Sequence, residues 1–70
     1  MKFALIMYAC SVLSNQCGDP IRDPTLYNTH KECAMAGYIQ SITVLDSMDS
    51  KKVNDAKLYF SFSCKELDGA

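Results

Sequence analysis

The stretch Thr29-His30-Lys31-Glu32-Cys33-Ala34-Met35-Ala36-Gly37-Tyr38-Ile39-Gln40-Ser41-Ile42-Thr43-Val44-Leu45-Asp46-Ser47-Met48 is the longest periodic segment of the chain, and its reading decides the fold. Thr29 to Glu32 has the form of a capping box, in which the Thr29 hydroxyl accepts the Glu32 N–H and the Glu32 carboxylate reaches back to the Thr29 amide. A helix starting there turns about 100° per residue, which places Ala34, Met35, Tyr38, Ile42 and Leu45 on one face with Ile39 at its edge. This face, Tyr38 included, is the expected core contact, and the Tyr38 hydroxyl then needs one polar partner. A second strip, Cys33, Gly37, Val44 and Met48, borders the first. The apolar arc is therefore wider than one sheet face requires, and either the preceding loop or a second chain must cover the rest. Gly37 costs about 1 kcal/mol relative to Ala inside a helix, which predicts the close approach of another backbone beside Cys33.

The whole chain has 70 residues, about half of them apolar, and a formal charge of −1. That is the composition of one globular domain, residues 1–70, near the size at which covalent staples become common. No Lys/Arg cluster suggests a nucleic-acid or anionic-membrane surface. Lys51, Lys52 and Lys57 are interrupted by Asp55 and read as a solvated helix end.

Upstream of the helix, Lys2 and the apolar run Phe3 to Leu13 fit two descriptions. One is a short signal peptide with a poor cleavage site, whose removal after Ser14 would delete Cys10 and leave an odd thiol. The other, preferred, is a strand apolar on both faces, with Phe3, Leu5, Met7 and Ala9 on one side and Ala4, Ile6, Tyr8, Cys10 and Val12 on the other. The run is too short to cross a bilayer as a helix. Residues 14–28 then read as loop, because Gly18-Asp19-Pro20 and Arg22-Asp23-Pro24 are turn chemistry. Two Asp-Pro pairs without further oxygen ligands do not make a cation site.

Downstream, residues 49–55 read as a turn and a short extra helical turn. Lys57 to Glu66 alternates strictly, with Leu58, Phe60, Phe62 and Cys64 inward and Tyr59, Ser61, Ser63 and Lys65 outward. Leu67 to Ala70 are expected to fray.

The expected fold is thus a small α+β, disulfide-stapled β-α-β unit with one central helix on a two-stranded sheet. A helix of about 30 Å matches strands of nine or ten residues, so a right-handed crossover with parallel strands is favoured over an antiparallel pair. Two strands rarely make a stable sheet, and the first has a free edge, which predicts a homodimer. The possible interface is Phe3, Leu5 and Met7 of the strand with Gly37, Val44 and Met48 of the helix strip.

Four cysteines, Cys10, Cys17, Cys33 and Cys64, contain no Cys-x-x-Cys, so neither a zinc ribbon nor a thioredoxin-type motif fits. In the parallel arrangement all four converge at one end. Of three possible pairings, Cys10 with Cys64 and Cys17 with Cys33 is favoured. Unless the thiols stay reduced, disulfides imply an extracytoplasmic location, periplasmic or secreted, which conflicts with keeping an N-terminus that resembles a signal.

His30 and Cys33 lie on one helical turn, where the dipole and an imidazolium would lower a thiol pKa. No orienting third group or oxyanion hole accompanies them, so catalysis is the lesser reading and no catalytic residue, metal or cofactor is assigned.

The spread Cys10, Cys17, His30-x-Glu32-Cys33-Ala34-x-Ala36-Gly37-Tyr38, Val53-Asn54 and Phe62-x-Cys64 resembles short uncharacterised cysteine-containing proteins of marine bacteria and their phages. The resemblance implies that the four cysteines form one structural pattern, and it supplies no activity. The function expected is a small non-catalytic interaction or structural module, with the polar face of the last strand and the loop Gly18 to Asn28 as binding surfaces. The alternatives are a subunit of a larger assembly such as a phage particle, docking through the first strand's edge, and a thiol enzyme using Cys33 and His30. The partner is a second copy or another protein, with no nucleic acid and no membrane span.

Overall fold

The computed structural model describes residues 2–67. Six elements follow in order: β1 (Lys2–Ser11), β2 (Gln16–Cys17), β3 (Ile21–Tyr27), α1 (His30–Ser47), α2 (Ser50–Ala56) and β4 (Leu58–Leu67). The class is α+β, with a four-stranded antiparallel sheet in place of the expected two-stranded parallel one.

The segment 2–11 is the central strand, and Leu5, Ile6, Met7 and Cys10 along it are buried. β4 pairs with it from Ser11 opposite Leu58 to Lys2 opposite Leu67. β3 and β2 share its other edge, β3 opposite Phe3 to Met7 and β2 opposite Cys10 and Ser11. Both edges of β1 are therefore occupied, and the homodimer that was to form through a free β1 edge has no edge to use. The signal-peptide alternative would remove the strand with which all the others pair.

β3 occupies residues that turn chemistry alone would make a loop. Its proline does not break the sheet, because the register against β1 shifts between Ala4 opposite Leu26 and Ile6 opposite Arg22, leaving Asp23, Pro24 and Thr25 in a bulge. Proline is tolerated at such a place because no ladder hydrogen bond is required of it. The Asp23 carboxylate accepts the Thr25 N–H at 2.9 Å and closes the turn.

That extra traverse changes the direction of everything after it. β3 carries the chain back to the start of β1, where the Phe3 and His30 rings meet edge to face at 6.0 Å. α1 then runs alongside β1 in the same sense, so β4 must come back antiparallel. The parallel expectation assumed that residues 14–28 stayed at one end, and a single additional strand reverses it.

Local chemistry sets the helix limits. The Thr29 hydroxyl accepts the Glu32 N–H at 3.1 Å, the hydroxyl half of the predicted capping box. α1 ends at Met48, whose N–H bonds the Leu45 carbonyl. Asp49 then caps α2, and Lys57, in the left-handed region at φ 54°, turns the chain into β4. The short extra helix was expected, as was the alternation of β4, in which Leu58, Phe60, Phe62 and Cys64 are half-buried and Tyr59, Ser61, Ser63 and Lys65 exposed. Leu67 is paired, and the remaining positions expected to fray, 68–70, lie outside the described residues.

Leu5, Met7 and Cys33 form the core between sheet and α1, ringed by Phe3, Tyr27, Ala36, Phe60, Phe62 and Cys64. The side of α1 that meets it is the Cys33 and Gly37 strip. Of the expected core face, Ala34 and Leu45 are half-buried, whereas Met35, Tyr38, Ile39 and Ile42 lie on the outer surface, with Tyr38 two-thirds exposed. Small residues decide the matter: with no side chain at Gly37, the Phe62 ring lies against the helix backbone, where Tyr38 would hold the two apart. The neighbour at Gly37 is thus an aromatic ring and not the backbone expected.

The disulfides are Cys10–Cys17 and Cys33–Cys64, a correction to the favoured pairing. In the antiparallel sheet Cys64 lies opposite Leu5 and Cys10 opposite Tyr59, five residues apart along β1 and so about 17 Å distant. No Cys10–Cys64 bond can span that gap. Cys10 and Cys17 are direct cross-strand partners with Cα atoms 4.0 Å apart, and Cys33–Cys64 bolts α1 to β4.

Candidate functional site

Cys33 is fully buried and bonded to Cys64, so it supplies no thiolate, and the His30 ring turns to Phe3. Among the described residues no three of His, Cys, Asp and Glu gather as a metal site. Asp23 makes no such site either, since its carboxylate is taken up by hydrogen bonds within the chain.

Those bonds form a polar cluster that ties β3 to α1. Besides Thr25 N–H, the Asp23 carboxylate accepts the Tyr27 hydroxyl at 2.7 Å and the Gln40 amide at 2.6 Å. Donation from the Thr25 backbone, then from Gln40 and Tyr27, holds the Asp23 pKa below the ordinary carboxylate value. The Tyr27 pKa is raised, chiefly because its proton is held by Asp23. The cluster fixes the β3 bulge against α1, which is a positioning role.

A shallow hollow of about 150 Å³ lies at the α1–α2 elbow, lined by Leu45, Asp46, Met48, Ser50, Val53 and Asn54. That is below the 300–1,000 Å³ or so of typical small-molecule sites.

The residues expected at an interface divide. Leu5, Met7 and Gly37 are buried inside the chain and Phe3 is packed at the core's edge, so these four are not a free surface. Met48 is half-buried and Val44 is 40% exposed.

What lies open is the opposite side of α1. Met35, Tyr38, Ile39 and Ile42 are between 54% and 69% exposed. Their i, i+3, i+4, i+7 spacing makes one continuous stripe, pointing away from the Cys33 and Gly37 strip that faces the sheet. The Tyr38 ring stands edge-on to Phe62 at 4.9 Å and so is anchored at its base. Isolated exposed apolar residues are ordinary on a protein surface, whereas these four adjoin one another along one face of the helix. Sequence periodicity found this stripe and assigned it to the core, because nothing in the pattern distinguishes an inward apolar face from an outward one.

No helix among the described residues is long and apolar enough to cross a membrane. No protein-family model, curated protein or solved structure matches the chain.

Proposed function

We propose that the protein is a small non-catalytic interaction module of an oxidising, extracytoplasmic compartment, periplasmic or secreted, that presents the outer face of α1 to a protein partner. The observation that carries this reading is the exposed stripe of Met35, Tyr38, Ile39 and Ile42 on a helix bolted to its sheet by Cys33–Cys64. A helix held this way loses little further conformational freedom on binding, which favours association. Two disulfides in so short a chain fit an oxidising compartment.

A second reading, a subunit of a larger assembly such as a phage particle, draws on β4. Among the described residues it pairs only with β1, which leaves ten residues of backbone along its other edge for strand addition.

A photo-crosslinking residue at Ile42, compared with one at Ser63 on the far side of the sheet, tests the first reading in cells that make the protein. Protein adducts at Ile42 that exceed those at Ser63 are expected. Equal or absent adducts at Ile42 would remove the basis for the α1 face as the binding surface.

A further inference from the structure

We infer that the partner seated on the α1 stripe is a second copy of this chain, the two helices packing antiparallel about a twofold axis that passes between Tyr38 and Ile39. The inference rests on the reading of α1 as a binding face and goes on to name the occupant. It comes from how the exposed residues are distributed about one point.

Tyr38 and Ile39 flank that point, Met35 and Ile42 stand equally far out on either side, and Lys31 and Asp46 stand equally far out again. All six are exposed. At about 100° per residue they share the side of the helix turned from the sheet. A twofold axis through the midpoint places each residue opposite its mirror in number: Tyr38 against Ile39, Met35 against Ile42, and Lys31 against Asp46 of the other copy. Apolar groups meet apolar groups in the centre, and each end is closed by opposite charges.

Self-complementarity of this kind is what an isologous interface requires, since the same patch must satisfy itself after a half-turn. An unrelated partner would need no such symmetry. The opposite charges at the ends also select the antiparallel arrangement, because a parallel pair would set Lys31 against Lys31 and Asp46 against Asp46. Four apolar side chains and one charge pair per copy make a small interface, so a weak, concentration-dependent dimer is expected.

Two measurements on the intact, oxidised chain test this. Sedimentation over micromolar to millimolar concentrations should show a monomer–dimer equilibrium. Ile42→Glu should weaken it at least tenfold with both disulfides and the circular dichroism unchanged. Lys31→Glu and Asp46→Lys should each weaken it, and the double exchange should restore it. Because any single variant can misfold, the unmodified protein carries the second measurement. Zero-length amine–carboxylate crosslinking of a mixture of ¹⁴N- and ¹⁵N-labelled chains should join Lys31 of one copy to Asp46 of the other. Within one helix these residues are about 22 Å apart, so an isotopically mixed adduct reports the dimer alone. A chain that stays monomeric, or a dimer that forms without the Lys31–Asp46 adduct and ignores Ile42→Glu, as one built on β4 edges would, overturns the inference. If the purified chain is monomeric but Ile42 still captures a different protein in cells, the interaction-module reading stands and only the twofold partner falls.

Discussion

Gly37 sits where a methyl group has no room. A Cβ built on it would come within 2.5 Å of the Phe62 ring, itself held by Tyr38 and the core. Overpacking of this kind costs about 1–3 kcal/mol, against a gain of about 1 kcal/mol from replacing glycine in a helix. Gly37→Ala should therefore destabilise the fold by about 1 kcal/mol net, read as a lower urea midpoint at unchanged m-value. A rise in the midpoint would mean that Phe62 can turn aside and that the close approach is not needed. The cost of a helical glycine was legible in the sequence, but not the ring that justifies it. At Asp23 the hydrogen bonds lower the folded pKa below the ordinary 3.8. A depressed carboxylate contributes stability that is present above the unfolded pKa and lost as pH falls through the folded one. Acid unfolding curves should thus show the wild type losing stability below about pH 4, while Asp23→Asn, already deprived of the charge, shows a weaker dependence across that window. Equal slopes would mean that the Thr25, Gln40 and Tyr27 bonds do not distinguish the carboxylate from the acid.

At the scale of elements, α1 explains both what could be read from residues and what could not. Its start at Thr29, its length and the alternation of β4 follow from local chemistry, and all appear as expected. The side it buries does not follow, since apolar residues occupy more of the circumference than the sheet can cover. Long-range terms choose: small residues at Cys33, Ala36 and Gly37 allow close packing, and the bond to Cys64 fixes the orientation. β3 was hidden for a related reason, because Asp23-Pro24 is turn chemistry that here sits within a strand as a bulge. The two disulfides contribute unequally to this arrangement. Chain entropy for closures of 31 and 7 residues gives about 3.7 and about 2.4 kcal/mol. Replacing Cys33 and Cys64 by Ala should consequently cost more than replacing Cys10 and Cys17, the more so because Cys33 is a core residue. Denaturant midpoints of the two double variants measure this. A larger loss from the Cys10/Cys17 variant would show that the β1–β2 hairpin, and not the helix bolt, holds the molecule together.

For the molecule as a whole, topology turns on parity. Strand, helix, strand was readable, but whether the strands run parallel depends on how many times the chain traverses the sheet in between, and β3 adds one. No local pattern reports that number when the added strand contains a proline. The result makes β1 the strand with which every other strand among the described residues pairs, and this bears on the conflict between an oxidising compartment and an apolar N-terminal run. Loss of residues 2–14 would leave β3 and β4 with no strand between them, and Cys17 without its partner. The core includes Leu5 and Met7 of that same strand, so the remainder could not fold around Cys33–Cys64 alone. The protein isolated from the cells that make it should therefore retain residues 2–11. Its intact mass should be that of a chain containing them, less the hydrogens given up in two disulfides, and reduction should restore those hydrogens and unfold it. A folded, oxidised form beginning after Ser14 would require a sheet built on some other strand, with Cys17 bonded elsewhere.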